Sequence, residues 1–277
     1  MEISEGITYT FNGSFTFAYR TLPVGSGVTY QNFSLREGSF EYARSDTERP
    51  GTFMVLRQDD EIVVRWYFKA DNETRTFQIS YLAESAVHSG GEGAELFYKF
   101  VGREWGGAIQ QVNLTLTSPE PVEPARVMTW VHAPAHATSK TADDGVLFAA
   151  CEDFPDKSLL EVRAVYPVTL FPSAPSEDID IRKRAIRQER ERQIRTEEKR
   201  REEILAETAR RERWKRGKWI LSLITAACLY VIIMLYRRYG TRPPVHFNNK
   251  VIRYIPEKIK PPNTITVKIN FFIITLF

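Results

Sequence analysis

Residues 6–19 read Gly-Ile-Thr-Tyr-Thr-Phe-Asn-Gly-Ser-Phe-Thr-Phe-Ala-Tyr. Ile7, Tyr9 and Phe11 alternate with Thr8 and Thr10, and Phe15, Phe17 and Tyr19 resume the alternation after Asn12-Gly13. Alternation with period two places one set of side chains on each face of a strand. Asn-Gly between two such runs predicts a tight hairpin, because both residues tolerate the positive φ of a type I′ turn. The stretch reads as two half-buried strands, which sets the fold class as mainly β.

The same signature recurs downstream. Phe77, Ile79 and Tyr81 alternate with Thr76, Gln78 and Ser80; Val112, Leu114 and Leu116 alternate with Asn113, Thr115 and Thr117; Leu160, Val162 and Ala164 alternate with Glu161 and Arg163. Runs at 28–35, 40–44, 52–57 and 61–68 supply further strands, the last preceded by a turn at Gln58-Asp59-Asp60. One polar face per strand indicates antiparallel sheets with one side on a core. Many short strands at this spacing predict a two-sheet antiparallel β-sandwich over residues 1–172. Tyr9, Phe17, Trp66, Phe77, Ile79, Tyr81, Leu114, Leu116 and Val162 are its expected core. A helical period is absent before residue 178.

Beyond the β-region the composition changes. Residues 173–180 form a Pro/Ser linker, and Ser176 followed by Glu177 and Asp178 predicts a helix start there. Residues 181–218 contain no proline and a single glycine, Gly217. Glu191–Arg195, Glu197–Arg201, Glu207–Arg211 and Glu212–Arg216 stand at the i,i+4 spacing that supports a charged helix. Ile186, Ile194, Ile204 and Leu205 are too sparse for a firm heptad seam, so a self-associating coiled coil stays open beside a solvated spacer. Residues 219–236, Trp-Ile-Leu-Ser-Leu-Ile-Thr-Ala-Ala-Cys-Leu-Tyr-Val-Ile-Ile-Met-Leu-Tyr, carry no charge. As a helix they extend about 27 Å, close to the hydrocarbon thickness of a bilayer. Trp219 and Tyr236 sit at the ends, where interfacial aromatics belong. A basic tail, 237–277, follows, broken at Pro243-Pro244 and Pro261-Pro262. Its last stretch, 265–277, is apolar but too short to span as a helix; a strand or an interfacial segment fits its length.

The overall charge of +3 conceals an asymmetry. Residues 1–180 carry −12, residues 181–218 carry +8 and residues 219–277 carry +7. An acidic domain followed by a basic stalk and tail suits a domain tethered to a membrane, so a lipid bilayer is the first expected partner. Cys228 lies in the apolar span, so a structural disulfide with Cys151 is not expected. Met1-Glu-Ile-Ser-Glu-Gly lacks the basic and apolar regions of a signal peptide.

The sequence shows no nucleophile elbow, zinc-protease helix or Walker loop. His132 and His136 have ligand-like spacing, but Pro134 between them prevents one regular helix from presenting both. Asp59-Asp60-Glu61 and Asp143-Asp144 read as turn carboxylates, and Cys151 as a packed thiol without a nearby base in sequence. Ser89-Gly-Gly-Glu-Gly93 reads as a mobile loop rather than a phosphate cradle. Asn12, Asn32, Asn72 and Asn113 head N-x-S/T sequons. The expectation is a protein that is not an enzyme, with no catalytic, cofactor-binding or metal residues and no cofactor. Interleaved glutamates in the stalk argue against nucleic acid. Trp105 closes Gly102-Arg-Glu-Trp as a plug at the sandwich edge, with ligand stacking as its second role.

Several stretches together carry a resemblance: Gly6 to Phe15 with Tyr19-Arg-Thr-Leu-Pro23, Ile62-Val-Val-Arg-Trp66, Phe77-Gln-Ile-Ser-Tyr81, Ala94-Glu-Leu-Phe-Tyr-Lys-Phe-Val-Gly-Arg-Glu-Trp105, Ser118-Pro119 and Glu161-Val-Arg-Ala-Val-Tyr-Pro167. In this order, and followed by the charged helix and the span, they resemble a family of predicted membrane proteins, domain of unknown function 2207. The resemblance covers about residues 5–262. It implies an exported β-domain, a charged helix, a membrane span and a cytoplasmic portion, and it carries no established activity. Family members usually add a leader and further spans, so the chain reads as truncated at both ends, with 263–277 outside the family pattern. The local charge count points the other way, since the basic residues before the span outnumber those after it and the positive-inside rule then places the β-domain in the cytoplasm. The family pattern puts it outside with the tail cytoplasmic, and that is the expected orientation. The expected function is a cell-surface domain that binds or senses a protein or glycan ligand. A subunit of an envelope enzyme and a purely structural spacer stand as the other readings.

Overall fold

The computed structural model describes residues 1–24, 27–58, 61–103, 105–240 and 266–275. The turn at Asp59-Asp60 and the proline breaks in the tail lie outside the described residues. Strands β1 (Glu2–Thr10), β2 (Ser14–Pro23), β3 (Thr29–Glu37), β4 (Phe40–Glu41), β5 (Ala43–Arg44), β6 (Thr52–Arg57), β7 (Glu61–Asp71) and β8 (Thr74–Glu84) come first. They are followed by β9 (Val87–Gly90), β10 (Gly93–Val101), β11 (Ile109–Thr117), β12 (Met128–His132), β13 (Thr138–Thr141), β14 (Leu147–Phe154) and β15 (Leu160–Pro167). Then come the helix α1 (Ile181–Tyr239) and a last strand, β16 (Thr266–Thr275). The chain divides into two compact units, Met1–Ile186 with Pro261–Phe277, and Arg187–Lys260.

The first unit is mainly antiparallel β, as the alternation requires. It has three sheets where the sequence reading gives two. An eight-stranded sheet runs β13-β14-β11-β16-β1-β8-β3-β4, and two four-stranded sheets run β12-β15-β10-β9 and β2-β7-β6-β5. One apolar cluster joins all three. Tyr9 and Phe77 of the large sheet meet Trp66 of β7 at ring-centroid distances of 6.4 and 5.5 Å, and Phe68 lies 4.9 Å from Phe77. Each fully buried side chain of this size contributes about 1.5–3 kcal/mol.

Asn12-Gly13 turns the chain, but not into a hairpin. β1 pairs with β8 and β2 pairs with β7, so the turn carries the chain from one sheet to another. The turn between β7 and β8 does the same beside it. Gly13 N–H donates to Asn72 Oδ1 at 2.9 Å, Asn72 N–H to Gly13 O at 3.2 Å and Phe11 N–H to Glu73 O at 2.9 Å. Gly13 at φ 107° and Asn72 at φ 49° supply the left-handed backbone that such corners need. Local turn chemistry is the same for a hairpin and for a corner; the partner strand decides between them.

Eight of the nine expected core residues are buried, Tyr9, Trp66, Phe77, Ile79, Tyr81, Leu114, Leu116 and Val162. Phe17 is not; it is 48 % exposed. The register of β2 on β7 shifts between Phe15 and Phe17. A bulge there breaks the period of two, so Ala18, Arg20 and Leu22 turn inward while Phe17 and Tyr19 face out.

Ser89-Gly-Gly-Glu-Gly93 forms the β9–β10 hairpin rather than an irregular loop. Its glycines admit the linker. A Cβ on Gly90 would stand 2.4 Å from Ile179 O, and one on Gly93 would meet Arg182 Cγ and Val165 Cγ1 at 3.1 and 3.2 Å. The linker is tied to Ser89, whose N–H donates to Pro175 O at 2.8 Å and whose carbonyl accepts from Glu177 N–H at 2.7 Å. The helix begins at Ile181, later than Ser176 suggests. Asp180 caps it by accepting the Lys183 N–H at 3.1 Å, a bond that holds its carboxyl below the usual range. Ile181 and Ala185 are buried on Val165, and Arg184 pairs with Glu177 and, at 2.8 Å, with Glu95.

In the second unit α1 continues without a break. Its 59 residues correspond to about 90 Å at 1.5 Å per residue. All of 219–236 is exposed. The helix is long and apolar enough to cross a membrane. Ile194, Ile204 and Leu205 on the charged portion are exposed as well.

Candidate functional site

β2 is the outer strand of its sheet. Along it runs a cavity of about 440 Å³. Eight consecutive residues of β2, Ser14 to Thr21, line the cavity together with Tyr9, Phe11, Gly102, Trp105 and Gly106. Two walls are aromatic: Phe11 and Phe15 contact at 5.0 Å, and Tyr9 and Phe11 stack at 5.5 Å. Trp105 is half-buried, packs on the core and also lines the cavity, so it closes the sandwich edge only in part. Its neighbour Glu104 lies outside the described residues. The guanidinium carbon of Arg20 lies 5.7 Å from the Trp105 ring centroid.

Beneath the cavity is a buried charge pair. Arg20 Nε donates to Glu5 Oε2 at 2.7 Å and Nη2 to Oε1 at 3.2 Å; Nη2 also donates to Phe100 O at 2.6 Å and Nη1 to Thr21 O at 2.7 Å. Tyr81 donates its hydroxyl to the same carboxylate. Tyr30 donates to Pro23 O at 3.0 Å, and its single proton being used there, Tyr98 donates to Tyr30 across 3.0 Å. Burial alone would lower the Arg20 pKa, but the Glu5 charge outweighs it and the guanidinium is held above its ordinary value. Burial first pushes Tyr81 and Tyr98 well above the ordinary phenol, joined by the Glu5 charge at Tyr81 and by the Tyr30 hydroxyl at Tyr98. Arg20 is therefore locked: its charge is matched and its donors point at carbonyls. It braces the cavity floor and is not a free anion hook.

Of the residues lining this site, the sequence singles out only Trp105 for a ligand role. A signal for the pair was available. Glu5 shares the inward parity of Ile3, Ile7 and Tyr9, and Arg20 that of Ala18 and Leu22. Two opposite charges at inward positions of neighbouring strands foretell a buried pair, because either alone would be prohibitively costly.

A model of the family described as Predicted membrane protein (DUF2207) N-terminal domain matches residues 1–166. The chain belongs to this family. The matched region holds the cavity and the Glu5–Arg20 pair, while α1 and β16 lie outside it. No curated protein matches the chain. The family and the exposed apolar helix together make this a membrane-associated protein with one candidate membrane helix.

The other sequence candidates do not converge. His132 ends β12 while His136 sits in the following loop, and among the described residues no group of three or more His, Cys, Asp or Glu could hold a metal ion. Cys151 Sγ lies 3.3 Å from His136 Nε2, a pairing hidden by fifteen residues of separation. The same Nε2 lies 2.8 Å from Glu152 O, so the tautomer that fits places a proton on it, and burial raises the thiol pKa.

Proposed function

We propose that this protein is a membrane-anchored binding protein whose β-domain takes its ligand in the groove beside β2. The observation that carries the reading is the groove itself: a concave, aromatic-walled site on a rigid sheet, inside a domain whose chain continues into an apolar helix. A binder is favoured over an enzyme because the charged groups nearest the groove, Arg20 and Glu5, are consumed by one another and by carbonyls. Among the described residues that line it, this leaves no charged group free to act as acid or base. The family resemblance supports a β-domain outside the cell and a cytoplasmic tail, which makes the ligand a protein or glycan at the cell surface.

Trp105→Ala in the full chain, assembled in lipid nanodiscs and probed with a peptide display library and a glycan array, tests this. The reading predicts ligands of one class that are lost by Trp105→Ala while the melting temperature falls only a few degrees, since Trp105 is half-buried. Ligands of both classes absent, or ligands indifferent to Trp105→Ala, overturn it.

A further inference from the structure

We infer that the groove's ligand is an extended segment of a partner protein that adds to the sheet as a new strand beside β2. This rests on the groove reading above and assigns its ligand class. The first observation is the lining. A cavity above one face of a strand touches every second residue. This one touches eight in a row, so it runs along the backbone edge.

The second observation is that, among the described residues, no strand pairs with the outer edge of β2. The six outer strands of the three sheets are β13, β4, β12, β9, β2 and β5. Five of them have five residues or fewer; β2 has ten. β9 is also covered by the linker through Ser89. Long open edges are normally guarded by lysine, proline or a bulge. β2 carries no lysine, its one charge, Arg20, points inward and is neutralised, and its bulge and Pro23 stand near its two ends. Between them the strand is unguarded.

The third observation gives the direction of the backbone groups. Thr21 O accepts from Arg20 Nη1 and Pro23 O from the Tyr30 hydroxyl, both on the side away from β7. Backbone direction alternates along an antiparallel strand. Tyr19 and Phe17 therefore present their N–H and C=O to the groove. An added strand would pair with these groups, the mode by which exposed sheet edges bind peptides. Its side chains of one parity would enter the pocket of Tyr9, Phe11 and Trp105, and those of the other would lie beside Phe17 and Tyr19. A glycan is the poorer fit, because the described side chains that line the cavity offer sugar hydroxyls only hydroxyls, the Trp105 indole N–H and an engaged guanidinium, with no carboxylate or amide.

The test uses the full chain in lipid nanodiscs and a phage-displayed library of linear peptides as the probe. The strongest binder is resynthesised with one backbone N-methyl group at each position in turn. Strand addition predicts that methylation at alternate positions weakens binding about tenfold, the loss of one or two hydrogen bonds, while intervening positions change it less than about twofold. It predicts slowed amide exchange at Phe17 and Tyr19 on binding. Tyr19→Pro, tolerated because that N–H faces away from β7, should weaken binding at least about tenfold. The methylation and exchange series stand even where the proline variant does not fold. Binding without parity, or protection away from β2, overturns the strand. A glycan held by the groove and lost in Trp105→Ala overturns the strand but leaves the binding groove. Absence of both kinds of ligand overturns both readings.

Discussion

Trp66 and Phe77 in the β-domain are fully buried, whereas Trp219, Ile232 and Tyr236 on α1 are 73 %, 60 % and 70 % exposed. The side chains are of one chemical kind, yet one set is sealed in a protein core and the other faces out from a helix. Period two lets the β-domain present half of each strand to a shared core. The segment 219–236 is apolar on every side, so no single neighbour can cover it. The difference teaches that the second set suits another solvent, and a lipid bilayer is a medium that covers an apolar helix all round.

The largest effect that breaks this comparison is charge in the span. Ile224→Lys with Ile232→Lys should oppose insertion by about 5–7 kcal/mol, taking about 2.5–3.5 kcal/mol for each charge. The doubly charged chain should leave the membrane fraction on alkaline washing, with β-domain melting unchanged. Retention in the membrane would mean that another segment is the anchor.

On the β side, Arg20→Met strands Glu5 without its partner and should cost about 3–5 kcal/mol. Adding Glu5→Gln should recover more than half of that in denaturant titration. A single variant as stable as the parent would show that the pair is solvated and not part of the core.

Alkali gives the next effect. Tyr81 and Tyr98 keep their protons in the fold well above the ordinary value of 10.0, chiefly because they are buried. A pKa raised on folding contributes stability that is fully present below the unfolded value and lost as pH rises toward the folded one. Above pH 10 the unfolded chain gives up protons that the fold retains, so stability falls by about 1.4 kcal/mol per pH unit for each tyrosine. Melting of the β-domain should drop steeply from pH 10 to 11, while helical ellipticity from α1 should not. A flat profile would place these hydroxyls in water.

The smallest effect sharpens one residue. Phe17→Thr should change stability by about 1 kcal/mol or less, where a buried phenylalanine would cost about 3–5 kcal/mol on truncation. A loss at the higher figure would return Phe17 to the core.

What could be read from the sequence was what neighbours along the chain determine. The strands, the unbroken helix and the apolar span each follow from a local period. Sheet membership did not, because Asn12-Gly13 serves a corner as well as a hairpin and the partners in β7 and β8 lie far along the chain, from Pro23↔Glu61 to Glu2↔Leu82. Phe17 was misplaced by a bulge that composition does not mark. The glycines of 89–93 are explained only by the linker that passes over them, and the groove only by an edge that no single strand reveals.

β16 places a sharp condition on the whole account. It pairs antiparallel with β1 and parallel with β11, yet it follows the span in the chain. Residues 237–265 carry seven basic side chains and no second apolar span. A helix inserted through the bilayer therefore leaves 266–275 across the membrane from β1, and the chain pairs β16 with its own sheet only while the helix is not inserted.

The most direct measurement is labelling of intact cells with a membrane-impermeant thiol reagent, using Arg190→Cys and Val245→Cys singly in a chain with Cys151→Ala and Cys228→Ala. The account predicts labelling at 190 and none at 245: the helix crosses once, with the β-domain outside. Labelling at both positions would contradict the crossing itself, and labelling at 245 alone would place the β-domain and its groove in the cytoplasm, away from any surface ligand.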